Sequence, residues 1–125
     1  MYHIAGILQA KEKLQKEGHA VETPDLSAKA QNDASLDQEA IAHLREKLVR
    51  QHLAKIENSD AILVYNDEKN SIPNYIGGST LIEMAFAFAL HKPIFLYNAV
   101  PDIAYTDEIL GLRPVVLHGK LEDIK

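Results

Sequence analysis

Ala61-Ile62-Leu63-Val64-Tyr65 is an unbroken apolar run, bounded by Asn58-Ser59-Asp60 before it and Asn66-Asp67-Glu68 after it. A strand with one wet face alternates apolar and polar residues, so a continuous run of this length predicts a strand covered on both faces. Pro93-Ile94-Phe95-Leu96-Tyr97 repeats the pattern and ends at Asn98, and Pro114-Val115-Val116-Leu117 gives a last strand before Gly119. Helical stretches lie around these runs. Ile41, Leu44, Leu48 and Ile56 mark the buried face of a helix that starts at Asp37 or a neighbour and ends near Asn58-Ser59. Another continues through Ala85, Phe86, Ala87, Phe88, Ala89 and Leu90 and stops before Lys92-Pro93. A shorter helix is expected over roughly 105–111, and a helical turn over Leu121-Glu122-Asp123-Ile124. Helices alternating with doubly buried strands predict one α/β domain over residues 1–125, layered around a parallel sheet.

The amino-terminal part reads differently. Ile4, Ile7, Leu8 and Leu14 sit at helical spacing, and Gly18 stands where a helix C-terminal glycine belongs. His19-Ala20-Val21-Glu22-Thr23 is a short strand closed by Pro24-Asp25, and residues 25–36 form a polar loop. On this spacing residues 3–17 make one helix, and the sheet has four strands at about 19–23, 61–66, 93–98 and 114–118. The alternative is a stub of an earlier strand over Tyr2–Ile7.

Composition narrows the function classes. A formal net charge of −5 argues against an electrostatically driven nucleic-acid surface. No apolar run approaches a membrane span, and no signal-peptide pattern opens the chain. Cysteine is absent, which excludes a disulfide framework and a thiolate zinc site or nucleophile, and is in keeping with a cytoplasmic location. The six histidines show no metal-ligand spacing, so neither a metal nor a cofactor is expected. His43 and His52 fall on or near the solvated face of their helix on this reading, and His91-Lys92 complements a helix C-terminus.

In parallel sheets of this kind ligands bind beyond the carboxyl ends of the strands. That edge gathers Thr23 and Asp25, Asn66 and Asp67, the Gly77-Gly78 turn with Ser79, Thr80 and Glu83, and Asn98. Adjacent glycines allow a tight turn and close approach to a ligand, and a helix N-terminus suits an anion. Ser79 or Thr80 serves as N-cap, and Thr80-x-x-Glu83 has capping-box spacing, which sets Glu83 in the first helical turn. Glu83 is thus either a cap or a reactive carboxylate. Tyr65, Tyr75 and Tyr97 are available to stack on a base or to pack the core and rim.

Three segments together carry a resemblance: Ser59 to Asn66, then Tyr75-Ile76-Gly77-Gly78-Ser79-Thr80-Leu81-Ile82-Glu83, then Lys92 to Asn98. In that order they resemble the nucleoside 2-deoxyribosyltransferase-like superfamily, over nearly the whole chain. The resemblance implies a Rossmann/flavodoxin-like three-layer sandwich with a parallel sheet of four or five strands. It implies transfer or hydrolysis at the N-glycosidic bond of a (deoxy)nucleoside or its 5′-monophosphate. The family nucleophile, a Glu near the start of a helix, maps onto Glu83. Asn66, Asp67, Gly77, Gly78, Ser79, Thr80 and Asn98 become the substrate-binding candidates, and the expected assembly is a homodimer or larger even oligomer.

Two departures stand out. The Asp that transferases carry shortly before the nucleophile has no counterpart in Ile76-Gly77-Gly78-Ser79, leaving Asp67 or Glu68 as candidates for that acid. Family members also open with a strand and a glycine-containing loop, whereas here the first strand is expected to be truncated or absent. A catalytically silent module that binds a nucleotide or nucleotide-sugar is the competing expectation. A poorer resemblance is to the phosphoribohydrolases once called lysine decarboxylases, whose Pro-Gly-Gly-x-Gly-Thr-x-x-Glu motif Gly77–Glu83 meets only in part.

Overall fold

The computed structural model describes residues 2–5, 8–22 and 37–124. It is an α/β fold with the elements β1 (Tyr2–Ala5), α1 (Leu8–Lys16), β2 (Val21–Glu22), α2 (Gln38–Glu57), β3 (Ala61–Val64), α3 (Gly78–Ala89), β4 (Ile94–Leu96), α4 (Thr106–Gly111), β5 (Val115–Val116) and a final 3-10 turn (Leu121–Asp123). The sheet order is β2-β1-β3-β4-β5, and every pairing is parallel. Its centre is β1, β3 and β4, with two-residue pairings at either edge.

The amino terminus corrects the sequence reading. Tyr2–Ala5 is a strand, as long as β3, with Tyr2 opposite Val21 on one side and opposite Ala61 on the other. The helix begins at Leu8, so residues 3–17 are not one helix, and the strand expected to be truncated or absent lies in the middle of the sheet. Short apolar runs satisfy helical and extended patterns alike. Here pairing along both edges decides in favour of the strand. Thr23, Asp25 and the loop expected over 25–36 lie outside the described residues.

Strand β3 is buried on both faces, which shows why its sequence does not alternate. Ile62 and Val64 join Ile56 of α2, Met84 and Ala87 of α3, Ile94 and Leu96 of β4 and Ile109 of α4. Leu63 points the other way, into a cluster with Leu14 of α1, Val21, Leu117, Leu121 and Ile124. Both halves of the strand's side-chain period are thus buried, which the continuous apolar run requires.

Caps delimit the helices as their residue types suggest. Asp37 is the N-cap of α2, its Oδ1 accepting from the Ala40 N–H at 2.8 Å. Gly18 follows α1 at φ +94°, a conformation that favours glycine, and its N–H bonds Gln15 O. Lys92 departs from expectation: Nζ reaches Glu57 O at 2.9 Å and also Ser59 O, so its charge serves the C-terminus of α2 rather than that of α3.

Candidate functional site

The order reverses between β1 and β3, and ligands of doubly wound sheets enter at such a reversal, beyond the strand carboxyl ends. Two of the expected residues meet at this edge. Asn66 follows β3, is buried, and donates through Nδ2 to Asn98 O at 3.0 Å and Ala99 O at 2.9 Å. Its Oδ1 accepts from the Asn98 N–H at 2.7 Å, while Asn98 Nδ2 donates to Asn66 O at 2.8 Å. The two residues therefore clamp the ends of β3 and β4 together. Their amides are largely committed to backbone groups.

Asp67 is exposed, and its Oδ1 accepts from the Glu68 N–H at 2.8 Å. The loop after it folds back at Lys69–Ile72, with Asn70 and Ser71 both at positive φ, and closes where the Tyr75 N–H bonds Asp67 O at 3.1 Å. Lys69 Nζ stands 5.8 Å from the centroid of the Tyr75 ring. A Cβ on Gly77 would sit 3.3 Å from that ring, so the glycine lets Tyr75 lie against the chain at the foot of α3.

The glycine pair does not make the expected tight turn. Gly77 is extended, at φ −80° and ψ 171°, and it is itself the N-cap of α3. The Leu81 N–H bonds Gly77 O at 3.0 Å, which starts the helix earlier than a Ser79 or Thr80 cap would. Ser79 is exposed and Thr80 half-buried in the first turn, and among the described residues nothing comes within 4 Å of a Cβ placed on Gly78. The Tyr105 hydroxyl donates to Ile76 O, which pins the segment before the helix to the start of α4. Burial, and then the neighbouring Tyr75 hydroxyl, push the Tyr105 phenol above the ordinary tyrosine range.

Glu83 is consequently not a cap. It is the sixth residue of α3, one turn beyond the capping position, and the side chain turns inward to 6% exposure. Among the described residues it is the one buried carboxylate. The imidazole of His52 on α2 meets it, with Nδ1 at 3.3 Å from Oε1. His52 was expected near the solvated face and is instead largely buried, whereas His43 is exposed as expected. A signal for it was present. His52 stands four residues after Leu48 and four before Ile56, on the apolar row that defines the inner face of α2. Similarly, Glu83 stands four residues before buried Ala87.

Tyr65 and Tyr97 stack on each other, with ring centroids 4.4 Å apart and planes 30° from parallel, and pack on the second cluster. Burial, and then the proximity of Tyr97, raise the Tyr65 phenol above its ordinary range. The structure thus brings Asn66 and Asn98 together and sets Gly77, Gly78, Ser79 and Thr80 on one turn above Glu83. Among the described residues no group of three or more His, Asp or Glu side chains is placed to hold a metal, and no helix is long and apolar enough to cross a membrane. No protein-family model matches the chain, and no curated protein matches it.

Proposed function

We propose that this chain is a nucleoside 2-deoxyribosyltransferase-like enzyme that cleaves or transfers the N-glycosidic bond of a (deoxy)nucleoside or its 5′-monophosphate, with Glu83 as nucleophile. The observation that carries the reading is the buried Glu83 carboxylate held by His52 below the first turn of α3. Burying an ionisable group costs free energy unless it is partnered, and such groups concentrate at functional sites. The order 2-1-3-4-5 supports the flavodoxin-like, three-layer form of the fold, with the crevice between β1 and β3 as the ligand entrance.

In the reaction, a Glu83 oxygen attacks the anomeric carbon as the bond to the base breaks. The transition state carries oxocarbenium character that the carboxylate stabilises. The base leaves with the bonding electrons and takes a proton from an acid, for which Asp67 and Glu68 are the candidates. A water or a second base then displaces the sugar from the Glu83 ester. Ser79, Thr80 and the free N–H groups above them offer donors to the sugar or its phosphate. No metal or cofactor takes part in this scheme. A cytoplasmic setting and a homodimer or larger even oligomer belong to the same reading.

A second reading is favoured by the clamp. Asn66 and Asn98, expected to contact substrate, spend their amides on the backbone, which suits a catalytically silent module that binds a nucleotide or nucleotide-sugar. Chromatography of free base after incubation with a panel of nucleosides and monophosphates separates the two. Release supports the enzyme. Nucleotide binding without release leaves the binding module.

A further inference from the structure

The loop that joins β3 to α3 carries both acids proposed to protonate the leaving base, Asp67 and Glu68. Its shape is not one that a chain takes unaided. Asn70, Ser71 and Asn74 stand at φ 52°, 65° and 58°. Residues other than glycine keep that conformation where surrounding contacts impose it, Asn at less cost than Ser. The Lys69 N–H donates to Ile72 O at 3.1 Å and the Ile72 N–H to Lys69 O at 2.9 Å, which closes the tip on itself.

Tyr75 is where this loop meets the helices. Its N–H donates to Asp67 O at 3.1 Å, so the backbone that bears the acid is held to it. The Lys69 ammonium stands 5.8 Å from the centroid of its ring. The same ring lies against Gly77, where a Cβ would come within 3.3 Å of Cε2. Gly77 has φ −80° and ψ 171°, extended backbone that any residue adopts. The conformation therefore does not call for glycine, and the room taken by the ring does. The Tyr75 hydroxyl neighbours that of Tyr105, which donates to the carbonyl of Ile76, a buried member of the core.

We infer that Tyr75 is a positioning residue that fixes the Asp67–Glu68 loop on the start of α3. The inference rests on the reaction proposed above, in which an acid from the loop and Glu83 from α3 meet one substrate. Two reacting groups on different elements keep their separation only if the elements are joined, and Tyr75 touches both. Displacement of a reacting group by about 1 Å costs on the order of a hundredfold in rate, so this joint acts on turnover rather than on affinity.

Two variants and two readouts test it. Tyr75→Leu removes the ring, and Tyr75→Phe keeps the ring against Gly77 and near Lys69. In base release, Tyr75→Leu is expected to lower kcat about thirtyfold with KM within about twofold, and Tyr75→Phe to stay within about threefold of wild type. Amide exchange by NMR reads the loop without turnover. In Tyr75→Leu the Lys69 and Ile72 N–H groups are expected to exchange at least about tenfold faster, while those of Ile62 and Leu117 in the sheet are unchanged. Unchanged exchange at Lys69 and Ile72, or sheet amides that quicken equally, overturns the inference. So does a Tyr75→Leu variant with the wild-type kcat, or a Tyr75→Phe variant as slow as Tyr75→Leu. A wild type that releases no base from any nucleoside or monophosphate defeats the reaction instead, and the exchange at Lys69 and Ile72 then decides alone whether Tyr75 holds the loop.

Discussion

His52 Nδ1 lies 3.3 Å from Glu83 Oε1, joining α2 and α3 through a carboxylate that is otherwise surrounded by protein. The contact accounts for two features at once. It gives the carboxylate on the inner face of α3 a polar partner, and it sets Oε1 toward α2. A loosely held Glu would sample several rotamers, and displacement of about 1 Å at a reacting atom costs on the order of a hundredfold in rate.

The first prediction concerns His52. His52→Leu removes the donor and leaves Glu83 buried opposite an apolar group, and His52→Asn returns an amide nitrogen near the position of Nδ1. For base release, His52→Leu should lower kcat about a hundredfold with KM nearly unchanged, and His52→Asn should recover most of the loss. The leucine variant should also lose roughly 2–3 kcal/mol of stability, the cost of taking one member out of a largely buried pair. Steady-state kinetics with thermal melting reads both. If the two variants melt differently but turn over alike, His52 supports the fold and does not position Glu83.

Asn66 gives a stability prediction. Asn66→Ala removes the bonds to Asn98 and Ala99 and leaves part-buried backbone groups without those partners, at a cost of about 2 kcal/mol. Asn66→Asp should be at least as harmful. A carboxylate can still accept from the Asn98 N–H, but it faces two carbonyl oxygens with no proton to offer them. Denaturant unfolding of the two variants checks the order. An Asp variant as stable as wild type would contradict the clamp.

The half-buried Tyr105 and Tyr65 set a pH dependence at the alkaline end. An ordinary tyrosine ionises near pH 10, and burial holds Tyr105 and Tyr65 above that value in the folded chain. Below about pH 10 both states keep the phenolic proton and stability is level; above it the unfolded chain ionises first, and stability falls as pH rises toward the folded values. Tyr105→Phe should cost about 1 kcal/mol at neutral pH through the lost bond to Ile76 O, and should flatten the alkaline decline. Melting temperatures across about pH 8 to 11 test this. Equal alkaline slopes for the two proteins would count against it.

The parts legible in the sequence were those governed by local rules. Asp37 and Asn58 bound α2 because one side chain caps the first turn and the chain turns off the helix at the other. Doubly buried β3 was visible in its unbroken apolar run. What depends on partners distant in sequence was not. Nothing local to Tyr2–Ala5 shows that strands pair along both of its edges. Thr80 and Glu83 match a capping box, but Gly77 needs no side chain to cap, so the helix starts sooner and Glu83 turns inward. Asn66 and Asn98 were rightly expected at the strand ends; that each would bind the other's backbone was not readable from either.

If Glu83 attacks a nucleoside's anomeric carbon, wild type and Glu83→Gln must part in turnover while keeping the same fold. The amide keeps an oxygen for His52, so the variant should melt within about 1 kcal/mol of wild type. Base release from the best substrate of a nucleoside and monophosphate panel should nevertheless fall about a thousandfold or more, because a neutral amide cannot form the glycosyl ester. Loss of turnover with the fold retained is the predicted result. A Glu83→Gln variant that releases base at a rate near wild type, or a wild type that releases none from any member of the panel, would rule out Glu83 as the nucleophile.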